Sequence, residues 1–217
     1  MKIALLGAES TGKSELAKAI SKRLSTLNLP VLRVDEYLRE WCEREHRTPE
    51  PHEQAEVAHT QMTRILHAPQ HTIVVADTTP LMVAIYSLYL FADDSLIAQA
   101  LAWQKRFDIT LLTGLDLPWV ADGVRDGPHA QAPVDQLVRQ MLHTANVHYQ
   151  VIYGQGDQRL ENALFCIASQ AAKQPGELAQ RLNQALARHE TLPKWTGPCE
   201  TCGDGECEHR LFTRWVK

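Results

Sequence analysis

Apolar residues recur along this chain in two alternating rhythms. Short, nearly continuous apolar runs occur at residues 2–6 (KIALL), 31–34 (VLRV), 72–76 (TIVVA), 108–113 (DITLLT) and 149–153 (YQVIY). Runs of this length predict strands, and their lack of strict alternation predicts burial on both faces. Between them, apolar residues return at helical spacing. Over 13–27 the stripe is Leu16, Ala19, Ile20, Leu24 and Leu27, and Asn28–Pro30 ends it. Further helices are predicted over 36–46, 50–67, 80–91, 94–106, 133–146, 157–173 and 176–190, with breaks at Thr48–Pro51 and Asp93–Asp94. Strands that alternate with helices imply an α/β domain whose parallel sheet is covered on both faces. The stretch 114–132 is rich in Gly, Pro and Asp and reads as a loop or lid. Near Thr191 the composition shifts. The expected organisation is one domain over 1–190 and a separate cysteine-rich tail over 191–217.

Composition narrows the function classes. The 217 residues carry 22 basic and 26 acidic side chains, a formal net charge of -4, so the chain lacks the basic surface that nucleic acid requires. No apolar run approaches the roughly 20 residues of a membrane span. The first apolar run stops at Gly7, so no signal peptide is expected there. Five cysteines, three of them clustered near the end, are not a secreted disulfide framework. The expectation is a cytoplasmic protein without nucleic-acid or membrane partners.

The chemistry enters at the end of the first strand. Gly7-Ala8-Glu9-Ser10-Thr11-Gly12-Lys13-Ser14 fits G-x-x-x-x-G-K-[ST], placed between an apolar strand and a helix. The glycines let the backbone curl so that successive N–H groups face phosphate oxygens, and the helix N-terminus adds partial positive charge. Lys13 supplies a point charge to the β- and γ-phosphates, and the Ser14 hydroxyl is a Mg²⁺ ligand. ATP with Mg²⁺ is therefore the expected cofactor pair. Asp77 closes the third strand, where a carboxylate reaches the ligand crevice of a parallel sheet. It is a candidate for Mg²⁺ or for catalysis, or alternatively a cap for the helix that begins near Pro80.

After the second strand comes Asp35-Glu36-Tyr37-Leu38-Arg39-Glu40-Trp41. Asp35 or Glu36 is a candidate acceptor for the proton of a substrate hydroxyl. Arg39 is positioned either to clamp a substrate or to pair with Asp35 at i,i+4. Tyr37 and Trp41 offer flat rings. In the loop after the fourth strand, Asp122 and Arg125 lie among glycines, as in a lid whose arginine meets the transferring phosphate and excludes water.

Together, GAESTGKS, DEYLREW, VVADTT, FDITLL and WVADGVRDG resemble, in order and spacing over residues 2 to about 172, the ribosylnicotinamide kinase domain of the NadR family. The E-Y-x-R-E and W-V-x-D-G-x-R segments carry most of that specificity. The resemblance implies a P-loop kinase fold with a five-stranded parallel sheet in the order 2-3-1-4-5, and phosphorylation of nicotinamide riboside to nicotinamide mononucleotide in NAD salvage. It implies catalytic or binding roles for Lys13, Ser14, Glu36, Tyr37, Arg39, Asp77, Asp122 and Arg125, with Asp35 less strongly matched, and leaves the choice between Glu36 and Asp77 open. The family's best-known members carry an adenylyltransferase domain before the kinase, so this chain is expected to make no NAD itself. A cationic pyridinium ring would suit aromatic walls, for which Tyr37, Trp41, Tyr86 and Tyr89 are candidates, the last two also reading as core. Two other readings stand beside this one: a kinase for another nucleoside or nucleotide, and a nucleotide-dependent regulator that acts through a protein partner.

The tail supplies the docking element for that last reading. Cys199, Cys202, Cys207 and His209 offer four soft ligands within eleven residues, a candidate Zn²⁺ knuckle. The single residue between Cys207 and His209 is shorter than the usual spacing, and neighbouring acids disfavour thiolates, so a reduced, metal-free tail is the competing expectation.

Overall fold

The computed structural model describes residues 1–120 and 128–187. Five strands form one parallel sheet: β1 (Lys2–Leu6), β2 (Val31–Val34), β3 (Ile73–Asp77), β4 (Ile109–Thr113) and β5 (Gln150–Ile152), in the order β2-β3-β1-β4-β5. The helices are α1 (Lys13–Thr26), α2 (Tyr37–Glu45), α3 (Gln54–Leu66), α4 (Pro80–Phe91), α5 (Ile97–Gln104), α6 (Gln131–Thr144), α7 (Gly156–Ala171) and α8 (Glu177–Ala187). The fold class is the one the strand–helix alternation predicts, and the sheet order is the one the family resemblance implies.

Strand alternation divides the core. Ile3 and Leu5 of β1, with Ile73, Val75, Ile109, Leu111 and Ile152, pack under α1, α7 and α8. Ala4 and Leu6 face the other way. Leu6 and Leu112 pack against α4, α5 and α6, while Ala4, Val74 and Ala76 meet Ile65 of α3. A central strand buried on both sides explains why β1 reads as one unbroken apolar run.

The sequence-predicted elements differ from the structure mainly at their ends. The helix expected from residue 133 begins at Gln131, after a 3-10 turn at Pro128–Ala130. Pro133 sits inside the first turn of α6, where a missing N–H removes no helical bond. Its presence therefore marks a helix that has already started. At the head of α4 the capping oxygen belongs to Thr79, which accepts from the Leu81 N–H at 3.3 Å. Asp77 is therefore not the cap.

Parallel pairing fixes the level of the strand ends. Leu5 is in register with Asp77 on one side and with Leu111 on the other. The carboxyl ends of β1, β3 and β4 thus open at one rim, the crevice where α/β sheets bind ligands.

Candidate functional site

Two residues past Leu5, the chain leaves the sheet and curls. Gly7 has φ 147° and Gly12 has φ 76°, with Gly12 the N-terminal boundary of α1. A Cβ on Gly7 would lie 2.0 Å from the Thr113 Oγ1, a contact no side chain tolerates. Close passage beside β4 therefore requires glycine there, independently of any phosphate. Thr113 occupies that space because it ties the loop down. Its hydroxyl donates to the Leu6 carbonyl at 3.1 Å and lies 2.6 Å from the Thr11 hydroxyl, which itself bonds the Ala8 carbonyl at 2.7 Å.

The remaining loop residues are each fixed by a neighbour. Lys13 is buried, and its Nζ donates to the Gly7 and Ala8 carbonyls at 2.8 and 2.6 Å, which draws the ammonium back over the loop. The Glu9 N–H donates to the Tyr86 hydroxyl at 3.1 Å, and the Glu9 carbonyl accepts from Gln131 at 2.9 Å. Tyr86 thus belongs to the wall of the phosphate loop. The Ser10 hydroxyl donates to the Val120 carbonyl at 3.1 Å and accepts from the Val120 N–H at 2.7 Å.

Asp77 is 3% exposed. Its Oδ1 has no hydrogen-bond partner among the described residues. Burial pushes its carboxyl above the ordinary carboxylate range; the nearby Ser14 hydroxyl opposes this, the Glu36 charge adds to it, and Lys13 and Arg39 oppose it. Those influences identify the group of side chains that share this rim. A buried carboxylate oxygen without a partner is costly unless a cation or donor completes it. A hydroxyl and a carboxylate, with phosphates and water, form the donor set that Mg²⁺ takes in phosphoryl-transfer sites. The residues present therefore fit the ion.

The adjoining Thr78 has φ 79°, a conformation rare for a β-branched residue, and is 2% exposed. Behind it, Thr79 donates to the Gln104 side-chain carbonyl at 2.7 Å, and the Gln104 amide donates to Thr110 at 3.0 Å. This buried chain braces the turn that presents Asp77.

On the acceptor side, Glu36 precedes α2 without capping it and contacts Arg39 at 3.5 Å. Asp35 is engaged elsewhere: it pairs with Arg33 at 2.7 Å, and its side chain is 64% exposed. The i,i+4 pairing of Asp35 with Arg39 does not form, because Glu36, one residue closer, holds Arg39. The rings of Tyr37 and Trp41 are buried, and each has a guanidinium over one face, Arg64 at 4.5 Å and Arg47 at 4.9 Å. Those two faces are covered by the protein's own cations. Asp122, Arg125, Cys199, Cys202, Cys207 and His209 lie outside the described residues.

The structure thus brings Lys13, Ser14, Glu36, Arg39 and Asp77 to one rim, beside the loop of Gly7, Glu9, Ser10, Thr11 and Gly12. Sequence reasoning missed Thr113, Gln104 and the loop contact of Tyr86. Each is a single residue distant in sequence from what it holds, and no local spacing announces it.

Comparison with known proteins gives the same picture of the fold. The model of the AAA domain family matches residues 2–159. No curated protein matches the chain. Among solved structures, deoxyadenosine kinase from M. mycoides with bound dCTP is similar at a TM-score of 0.51 and 14% identity, covering 78% of this chain and 100% of that one. An NadR protein in complex with NR is similar at a TM-score of 0.55 and 14% identity, over 89% of this chain and 52% of that one. This chain therefore spans about half the length of that NadR protein. At such identity the likeness establishes the P-loop kinase fold. No described helix is long and apolar enough to cross a membrane.

Proposed function

The chain belongs to the AAA domain family, and from that membership and its site we propose that it is an ATP- and Mg²⁺-dependent kinase that phosphorylates a nucleoside, with nicotinamide riboside as acceptor and nicotinamide mononucleotide as product. The observation that carries this reading is the buried Asp77 carboxylate, with one oxygen unpartnered among the described residues, close to Ser14 and the lysine of a phosphate loop. The acceptor-side segment from Glu36 to Arg39 and the resemblance of the whole motif series give the substrate.

In this reading the loop N–H groups and Lys13 hold the triphosphate. The Lys13 ammonium exchanges the Gly7 and Ala8 carbonyls for β- and γ-phosphate oxygens, a short movement for a flexible side chain. Ser14 and Asp77 hold Mg²⁺, which supplies neutralisation of the phosphate charge. With Asp77 committed to the metal, Glu36 accepts the proton from the substrate hydroxyl as the hydroxyl oxygen attacks the γ-phosphorus and ADP departs. Arg39 steadies the Glu36 carboxylate. Phosphoryl transfer demands little more than such positioning and charge balance. Residues 1–190 form the catalytic unit, with Arg125 and Asp122 completing it from the segment after β4. The tail over 191–217 is not needed for transfer.

A second reading rests on the likeness to deoxyadenosine kinase, which this chain covers over that protein's whole length. It keeps the mechanism and changes the acceptor to another nucleoside. The deciding experiment is ATP consumption by purified protein with Mg²⁺, with and without nicotinamide riboside, and mass spectrometry of the product. Formation of the mononucleotide supports the proposal. Stimulation only by other nucleosides selects the second reading, and hydrolysis that no nucleoside stimulates overturns both.

A further inference from the structure

Helix α7 carries a guanidinium that the reading above leaves unused. Arg159 is 4% exposed and reaches three loops at once. Its Nη1 donates to the Gly154 carbonyl at 2.8 Å and to the Asp116 carboxylate at 2.9 Å. Its Nη2 donates to the Thr11 carbonyl at 2.9 Å and to the Gly114 carbonyl at 3.4 Å. Thr11 lies in the phosphate loop, Gly114 and Asp116 follow β4, and Gly154 follows β5. Asp116 reinforces the junction by accepting the Gly154 N–H at 2.6 Å. The Nε has no partner among the described residues.

Burying a cation is costly, and three of these four acceptors are neutral carbonyls that return only part of that cost. A planar fork with five donors spread over three nitrogens reaches acceptors on three loops at once; an ammonium offers three donors from a single atom and spans a smaller region. The contact on Thr11 is the informative one. A trans peptide is planar, so its C=O and N–H point in opposite directions. The guanidinium that holds the Thr11 carbonyl therefore fixes the Gly12 N–H, turned away from Arg159. Gly12, at φ 76°, has the freedom to let that peptide rotate if nothing anchors it.

We infer that Arg159 is a positioning residue for phosphate binding: it anchors the Thr11–Gly12 peptide so that the Gly12 N–H is presented to the bound polyphosphate. This rests on the proposed function, because it takes the loop to hold a nucleoside triphosphate. Its chemical target is the phosphate chain, not the base.

Calorimetric titration with Mg-ATP and, separately, with magnesium tripolyphosphate tests it, using wild type, Arg159→Lys and Asp116→Asn. Steady-state kinetics are measured alongside. Arg159→Lys is expected to weaken both ligands by about tenfold or more, the scale of one charge-assisted hydrogen bond. At saturating ATP, kcat should stay within about twofold. Asp116→Asn keeps one acceptor oxygen for the Gly154 N–H, removes the charge and the second acceptor that hold Arg159, and does not touch the loop, so it should weaken both ligands by the same, smaller factor. A purely structural role would reduce the folded fraction and kcat while the folded molecules bound both ligands normally. That result overturns the inference, as does weakened ATP binding with tripolyphosphate unchanged. If Arg159→Lys does not fold, Asp116→Asn decides alone. A wild-type protein that binds neither ligand would remove the functional reading and this inference together; normal wild-type binding with unaffected variants removes only the inference.

Discussion

Ser14, at the head of α1, lies beside Asp77, at the end of β3, and its hydroxyl favours the ionised form of that carboxyl. The register that pairs Leu5 with Asp77 brings the phosphate loop beside the end of the neighbouring strand. Asp77 is a buried carboxylate whose Oδ1 lacks a protein partner among the described residues. Such an arrangement favours ligand binding over the stability of the free protein.

That conflict is measurable. Burial raises the Asp77 carboxyl above its ordinary value of 3.8, so the folded protein holds this proton more tightly than the unfolded chain does. The group's contribution to stability is then largest in acid and declines as pH rises above that value. Asp77→Asn removes the charge and keeps the shape. Without nucleotide, the variant should melt several degrees above wild type at pH 8, with the gap closing toward pH 4, while transfer falls by at least about a hundredfold. Thermal melts at three pH values check this; an equal or lower midpoint at pH 8 contradicts it.

Lys13→Ala should abolish transfer, with a loss of at least about a hundredfold in kcat/KM. In the free protein it also strips the Gly7 and Ala8 carbonyls of their donor, so a modest fall in midpoint should accompany it. A coupled assay for ADP release, run beside a melt, separates the two effects. Near-wild-type turnover would end the assignment of this loop.

Gly7→Ala places a methyl 2.0 Å from the Thr113 hydroxyl oxygen. The expected cost is about 2–4 kcal/mol, read from urea midpoints. Thr113→Ala in the same molecule should return part of that stability but not all, since the φ of 147° persists. Full additivity of the two changes would show that the clash is not what requires glycine.

Arg125→Ala should lower the rate at saturating substrates by more than it alters the KM for ATP, because its proposed role is realised in the transition state. Steady-state kinetics over both substrates check it. An unchanged kcat would remove Arg125 from the reaction.

The sequence displays the sheet plainly because every central strand is buried on both faces and cannot hide among polar residues. The phosphate loop is equally plain, since its residues are contiguous and its spacing follows from backbone geometry. The braces are invisible for the opposite reason. Arg159 and Thr11 are 148 positions apart, Thr11 and Thr113 are 102, and Glu9 and Tyr86 are 77. Each looks locally like a surface or core residue, and only the fold gives it a second partner. Asp35 shows the converse. Its position beside the acceptor motif makes it a candidate, yet Arg33, two residues away on an edge strand, engages it first.

The order β2-β3-β1-β4-β5 also has a consequence in time. The first strand of this sequence is the middle strand of the sheet, so both of its neighbours are made after it. During synthesis the phosphate loop emerges early, yet Tyr86, Thr113 and finally Arg159 reach the ribosome exit only much later. A nascent chain halted before residue 159 would hold the whole glycine-rich motif with its last clamp still missing. Because these contacts span most of the domain, loop closure must precede them, which slows folding. Nucleotide added to a stalled chain of increasing length should therefore be retained only once α7 has cleared the tunnel.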